Sequence, residues 1–159
     1  MKYAMGVALT LLVLAVAALT VLYGGRYDIA ASSPHTALEQ WLFSTTMRNA
    51  VIRGAERSVP ERPRDLTSAV RVARGARSFD DHCRRCHGAP GAEPDEMGKG
   101  LTPHAQDLAR AAERWTPEQL FWIVSHGIKM TGMPAWGRSH EPDEIWDHVA
   151  FVERLPHKH

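Results

Sequence analysis

The chain has 159 residues, enough for one folded domain of ordinary size plus flanking segments, and its 44% hydrophobic content is neither that of a disordered polymer nor uniformly apolar. Nineteen basic and eighteen acidic residues leave a formal net charge of +1, which excludes the strongly basic balance of a general nucleic-acid binder. Two cysteines are too few for a disulfide framework.

From Tyr3 to Tyr23 the chain is almost unbroken in Ala, Val, Leu and Met, interrupted only by Gly6, Thr10 and Thr20. At about 1.5 Å per residue such a helix covers the roughly 30 Å hydrocarbon core of a bilayer. A single-pass anchor is therefore expected over residues 1–24, with residues 3–23 in the membrane. Lys2 favours a cytoplasmic amino terminus, although Arg26 just beyond the run weakens that bias. A cleaved signal peptide is the competing reading, and Ala15-Val16-Ala17 has the small-x-small form. That triplet falls inside the apolar run, whereas a signal's apolar region is about 7–15 residues long and precedes its cleavage site.

Residues 25–65 read as an exit loop, an amphipathic helix and a linker. Gly24-Gly25 breaks the anchor helix, and Ser33-Pro34 offers a capping serine with proline at the first helical position. Leu38, Trp41, Leu42, Thr45 and Ile52 recur at three- and four-residue steps, which predicts a helix to about Arg57. Its stripe needs a partner: the neighbouring domain, the membrane surface or another membrane subunit. Pro60-Glu61-Arg62-Pro63-Arg64 is a stiff charged boundary. Ten arginines and five acidic residues lie between Arg48 and Arg85, an excess of five positive charges that suits either a solvated helix face or an acidic or anionic surface.

The next domain is expected over residues 66–156, with a tail at 157–159. Thr67 or Ser68 caps a helix running toward His82, with Val70, Ala73 and Phe79 as inward candidates. It leads into Cys83-Arg84-Arg85-Cys86-His87, and C-x-x-C-H is the sequence form of covalent c-type haem attachment. One helical turn places positions i and i+3 on the same side, so each thiol can add across one haem vinyl, and His87 follows as proximal axial ligand. Half a zinc site would need two further ligands at zinc spacing, and there is no third cysteine. A plain disulfide would leave the histidine a coincidence.

Gly88-Ala89-Pro90-Gly91 and the stretch to Pro103 are predicted as a long loop, which would be suspect in an ordinary globule but has something to wrap if a cofactor is present. Thr116 caps and Pro117 opens a helix carrying Leu120, Phe121, Ile123 and Val124, and Gly127 stops it. A closing helix begins near Pro142, carries Ile145, Trp146, Val149, Val152 and Leu155, and ends at Pro156. Between the two, Gly132-Met133-Pro134-Ala135 offers a conformationally restrained methionine whose neutral sulfur would favour ferrous iron and raise the reduction potential. Met130 and Met97 are alternatives on the residues alone, and any single methionine is more often packing. His82, His104, His126, His140, His157 and His159 are most simply loop or surface residues, with His126 the rival distal ligand.

The combination of C-x-x-C-H, a later G-M-P-A segment and a closing aromatic-rich helix resembles the class I c-type cytochromes, over about residues 66–156. The resemblance selects Met133 over Met130 as distal ligand, and implies one haem c per chain. It also implies an all-α haem domain in which the helix bearing Gly75 and Phe79 crosses the one bearing Trp146 and Val149; the N-terminal transmembrane helix and the amphipathic helix read from the residues ahead of it lie outside the resemblance and complete an all-α chain. In one respect the chain departs from the family. A proline whose carbonyl accepts from the proximal histidine often precedes the leucine after the first loop, but Pro103 is displaced and Gln106 stands nearer that place in Pro103-His104-Ala105-Gln106-Asp107-Leu108.

The expected function is a membrane-tethered electron carrier at the periplasmic face of a bacterial inner membrane, not an enzyme in its own right. Its partners would be redox proteins such as a membrane oxidase, reductase or dehydrogenase of a respiratory chain, with no nucleic acid. Arg84, Arg85, Lys99, Lys129 and Arg138 are candidates for a positive rim facing them. The alternatives are a haem enzyme or gas sensor with an open distal site, and an obligate cytochrome subunit of a larger membrane oxidoreductase complex.

Overall fold

The computed structural model describes residues 2–155, and those residues are helical with no strand. The predicted end of the last helix at Pro156, and the tail with His157 and His159, lie outside them. The chain divides into two units, one up to Ser33 and one from Pro34 onward.

The first unit is α1, Lys2–Tyr23, with none of its side chains buried within the protein. Its 22 residues are long and apolar enough to cross a membrane, as the run from Tyr3 predicts.

The second unit begins with α2, Ala37–Ser58. Its start is three residues beyond Pro34, because Thr36 and Glu39 form a reciprocal capping box that Ser33 cannot match: Thr36 Oγ1 accepts from the Glu39 N–H, and the Glu39 carboxylate accepts from the Thr36 N–H at 2.7 Å. The packed face of α2 also differs from the expected stripe. Val51 is fully buried, Met47 and Ile52 pack beside it, and a Cβ on Gly54 would stand 2.3 Å from the Trp122 ring. Leu38, Trp41 and Leu42 instead face solvent.

The remaining elements are α3 (Ala69–His82), α4 (Arg84–His87), α5 (Glu96–Lys99), α6 (Leu108–Arg114), α7 (Pro117–His126), a 3-10 turn (Trp136–Arg138) and α8 (Pro142–Val152). Ser68 caps α3, and Thr116, Pro117 and Gly127 bound α7 as read from the sequence. The closing helix ends at Val152, short of Leu155, because the chain turns there through the Arg154 N–H to Phe151 and Leu155 N–H to Val152 bonds.

Helices α3 and α8 cross as the resemblance implies. At the crossing the main chains nearly touch: a Cβ on Gly75 would stand 2.0 Å from the Asp147 carbonyl oxygen. One turn on, Phe79 and Phe151 meet with ring centroids 5.0 Å apart. Of the inward candidates on α3 only Phe79 is buried, while Val70 and Ala73 are exposed. Arg71 takes the inward position because Asp147 of α8 supplies its counter-charge. Arg71 Nη1 donates to Asp147 Oδ1 at 2.7 Å, its Nη2 lies 2.9 Å from Asp143 and 3.1 Å from Asp65, and Arg74 donates twice to the same Asp147 carboxylate, at 2.6 and 3.0 Å. Around this join the core gathers Leu120, Phe121 and Ile123 of α7 with Ile145, Trp146 and Val149 of α8.

Candidate haem site

Cys83, Cys86 and His87 come together on one helical turn directly after α3. Cys83 is both the last cap of α3 and the first of α4, and its carbonyl accepts from the N–H groups of Cys86 and His87 at 3.1 and 3.0 Å. Cys83 and Cys86 form no disulfide. Burial, with Cys86 adding, pushes the Cys83 thiol up to about 11.

His87 Nδ1 lies 2.8 Å from the backbone carbonyl of Gln106 and donates to it, which leaves Nε2 as the nitrogen free to bind iron. This is the contact for which Pro103 is misplaced, and Gln106 supplies it. Burial lowers the His87 pKa against a smaller upward pull from that bond, favouring the neutral imidazole a metal needs. Beside His87 is a hollow of about 360 Å³ walled by Phe79, Pro90, Pro94, Leu108 and Leu155. A larger depression beside α6, lined by His104, Asp107, Arg110, Glu113 and Arg114, is mostly polar and suits water better than a porphyrin.

The stretch after His87 is more ordered than predicted. Gly88, at φ +68, turns the chain, the Asp95 N–H bonds back to the Arg85 carbonyl at 2.9 Å, and a Cβ on Gly98 would press to 2.8 Å from the Cys86 Cα. Three residues later Leu101 rests on the other segment of interest, within 2.5 Å of where a Gly132 Cβ would be. The turn from Gly98 to Leu101 thus touches the cysteine motif at one end and the Met133 loop at the other.

Met133 is half-buried against the core, whereas Met130, at φ +61, and Met97 are exposed. Thr131 Oγ1 accepts from the Met133 N–H at 3.1 Å, and Gly127 lies so close to the Met133 and Pro134 carbonyls that a Cβ there would meet both within 2.7 Å. Met133 does not line the hollow beside His87. His126 is exposed and stacks on Trp122, its Nδ1 bonded to the Trp122 carbonyl at 3.0 Å. In the expected positive rim, Arg84 pairs with Asp80 and Lys99 with Glu93, each at 2.8 Å, while Arg85, Lys129 and Arg138 are exposed.

His82 and His140, read from the sequence as loop or surface residues, gather next to the motif with His148, which sequence reasoning passed over. His82 and His140 sit against Trp136 with centroids 5.1 and 5.3 Å from it, and His140 touches the buried His148 at 5.7 Å. His148 Nε2 is 3.1 Å from Ser78 Oγ, and its Nδ1 has no partner among the described residues. Among the described residues no three or more His, Cys, Asp or Glu side chains converge in a way that could hold a metal ion.

Burial pushes His148 down to about 4, with His140 and His82 adding and Asp147 and Glu144 opposing. Between pH 4 and 6.5 the unfolded chain then binds the proton that the folded chain refuses, so stability rises with pH across that window. The contribution is complete above pH 6.5 and is lost as pH falls toward 4, about 3 kcal/mol at about 1.4 kcal/mol per pH unit. Guanidinium unfolding from pH 7 to 4 is expected to show this loss in the wild type and a flatter profile in His148→Gln. Parallel profiles would contradict it.

An all-helical frame that closes α3 against α8 and sets C-x-x-C-H at the end of α3 defines a haem-binding class I c-type cytochrome. Residues 70–152, just over half of the chain, match the family described as cytochrome C oxidase, cbb3-type, subunit III, and the chain belongs to that family. No curated protein and no solved structure gives a significant match.

Proposed function

We propose that the chain is a membrane-tethered monohaem c-type cytochrome that passes single electrons between redox partners at the periplasmic face, with an oxidase among them. Haem c, when bound, supplies a one-electron couple at its iron. Cys83 and Cys86 would hold it through thioethers, the sulfur of each S–H going to one carbon of a vinyl group and the hydrogen to the other as the double bond is lost. His87 would bind the iron through Nε2 and Met133 through its sulfur. The domains proposed are the anchor to residue 24, the connecting region to 65 and the haem domain from 66.

The observation that carries this reading is the Gln106 carbonyl on His87 Nδ1, which holds the ring and leaves Nε2 free on the same turn as Cys83 and Cys86. The half-buried setting of Met133, against the exposure of Met130, supports a closed sixth position and a carrier over an open-site enzyme or sensor. The family description favours a related reading, an obligate subunit of a larger oxidase, in which the same residues act within a complex.

Absorption spectra of the purified protein in both redox states test the assignment. The wild type and Met130→Ala are expected to show a covalent c-type haem that ignores carbon monoxide. Met133→Ala is expected to bind carbon monoxide when reduced and to have a lower reduction potential. A wild type that binds carbon monoxide readily would replace the carrier with the open-site reading.

A further inference from the structure

Helix α2 has two faces of opposite use. Its later turns pack Met47, Val51 and Gly54 onto the haem domain. Its first two turns present Leu38, Trp41 and Leu42, which are 69%, 62% and 49% exposed. At about 100° per residue, the mean direction of these three lies about 165° from that of Met47, Val51 and Gly54, and along their own face only Ile52, more than two turns further on, packs against the domain. Arg48 and Arg53, both exposed, fall on the two margins of the apolar face. Further on, the same face carries exposed Thr45, Asn49 and Glu56 and the half-buried Ile52, which packs on the core, so the exposed apolar contact is confined to the first turns.

Such a face needs an occupant, and the chain itself limits the choice. Only thirteen residues separate Tyr23 at the end of α1 from Ala37 at the start of α2, a tether of at most about 45 Å when fully extended. With α1 in the bilayer, the first turns of α2 stay within reach of its surface, and tethering makes even a weak contact effective. A stable protein partner covers about 800 Å² on each side, more than two leucines and one tryptophan present. Lipid makes no such demand: a tryptophan with aliphatic neighbours suits the headgroup boundary, and flanking arginines suit anionic headgroups.

We propose that Leu38, Trp41 and Leu42 form a membrane-surface docking face, inserted at the headgroup boundary of an anionic bilayer with Arg48 and Arg53 against lipid phosphates. This rests on α1 acting as the anchor, and it gives the haem domain a second hold on the membrane.

The test uses the full haem-loaded chain in nanodiscs of phosphatidylcholine, with or without phosphatidylglycerol, whose acyl chains are plain or brominated near the headgroup. The fluorescence difference between wild type and Trp41→Phe isolates Trp41. Bromination is expected to reduce that difference at least twofold, Leu38→Ser with Leu42→Ser to abolish the reduction, and Arg48→Gln with Arg53→Gln to remove its dependence on phosphatidylglycerol. If alkaline carbonate leaves the chain in the membrane but Trp41 is equally bright in both lipids, the docking face is wrong and the anchor stands. If carbonate extracts the chain, the anchor reading fails and takes the docking face with it. Shielding of Trp41 only when another membrane protein co-purifies would assign the face to that protein and overturn the proposal.

Discussion

Removing the carboxylate of Asp147 is expected to destabilise the haem domain by about 3 kcal/mol, a large part of the 5–15 kcal/mol or so that typically holds a domain together. Asp147 is buried on α8 and takes three hydrogen bonds from two arginines of α3. Asp147→Ala would strand Arg71, which is only 5% exposed, with the two exposed carboxylates of Asp65 and Asp143 as its remaining counter-charges. Breaking one side of a buried pair costs more than the pair is worth, because the charge left behind has lost both water and partner. Those two surviving carboxylates keep the expected loss at the low end of the usual range. The same reasoning gives a check with the opposite sign: Arg71→Met together with Asp147→Leu should recover most of the loss, since apolar groups of similar size need no partner. Denaturant unfolding of the single and double variants measures this. A double variant no more stable than Asp147→Ala alone would mean that packing at the crossing, and not charge, dominates.

Gly75→Val is expected to cost at least as much, about 3 kcal/mol or more, and to lower the yield of haem-loaded protein. The added Cβ would meet the Asp147 carbonyl oxygen at 2.0 Å and its carbonyl carbon at 2.7 Å, so backbone meets side chain and no rotamer gives relief. The helices would have to part, loosening the Phe79–Phe151 contact and the arginine bonds to Asp147. Gly100→Ala is the control, since its Cβ would have nothing nearer than 3.5 Å. Equal stability for the two variants would show that α3 and α8 can shift without loss.

These two predictions illustrate what the sequence made legible. The crossing of the helix bearing Gly75 and Phe79 with the closing helix was legible through the family resemblance, with Gly75 as the residue that permits close approach. The limits of α7 were readable because Thr116, Pro117 and Gly127 act through local backbone chemistry. Arg71 was not, since a buried ion pair reverses the apolar pattern from which an inward face is read: Val70 and Ala73 look like core and face water, while the arginine between them is buried. Seven-residue α6, capped by Asp107, is too short to show a period. Thr36 and Glu39 did carry a capping-box signal, more specific than the Ser33-Pro34 that was preferred. At the site, C-x-x-C-H announced itself, but Met133 stood out from Met130 only through family resemblance, and the Gln106 carbonyl, a backbone group, leaves no mark in side-chain pattern.

That carbonyl has one more consequence. Held through Nδ1 and tied into the same turn as both cysteines, the His87 ring is restrained against rotation. In the proposed carrier that restraint would limit how far the ligand moves as each electron comes and goes, and so keep the reorganisation small. The pace of the proposed carrier would be governed by the gap to its donor or acceptor and by how long the two stay side by side.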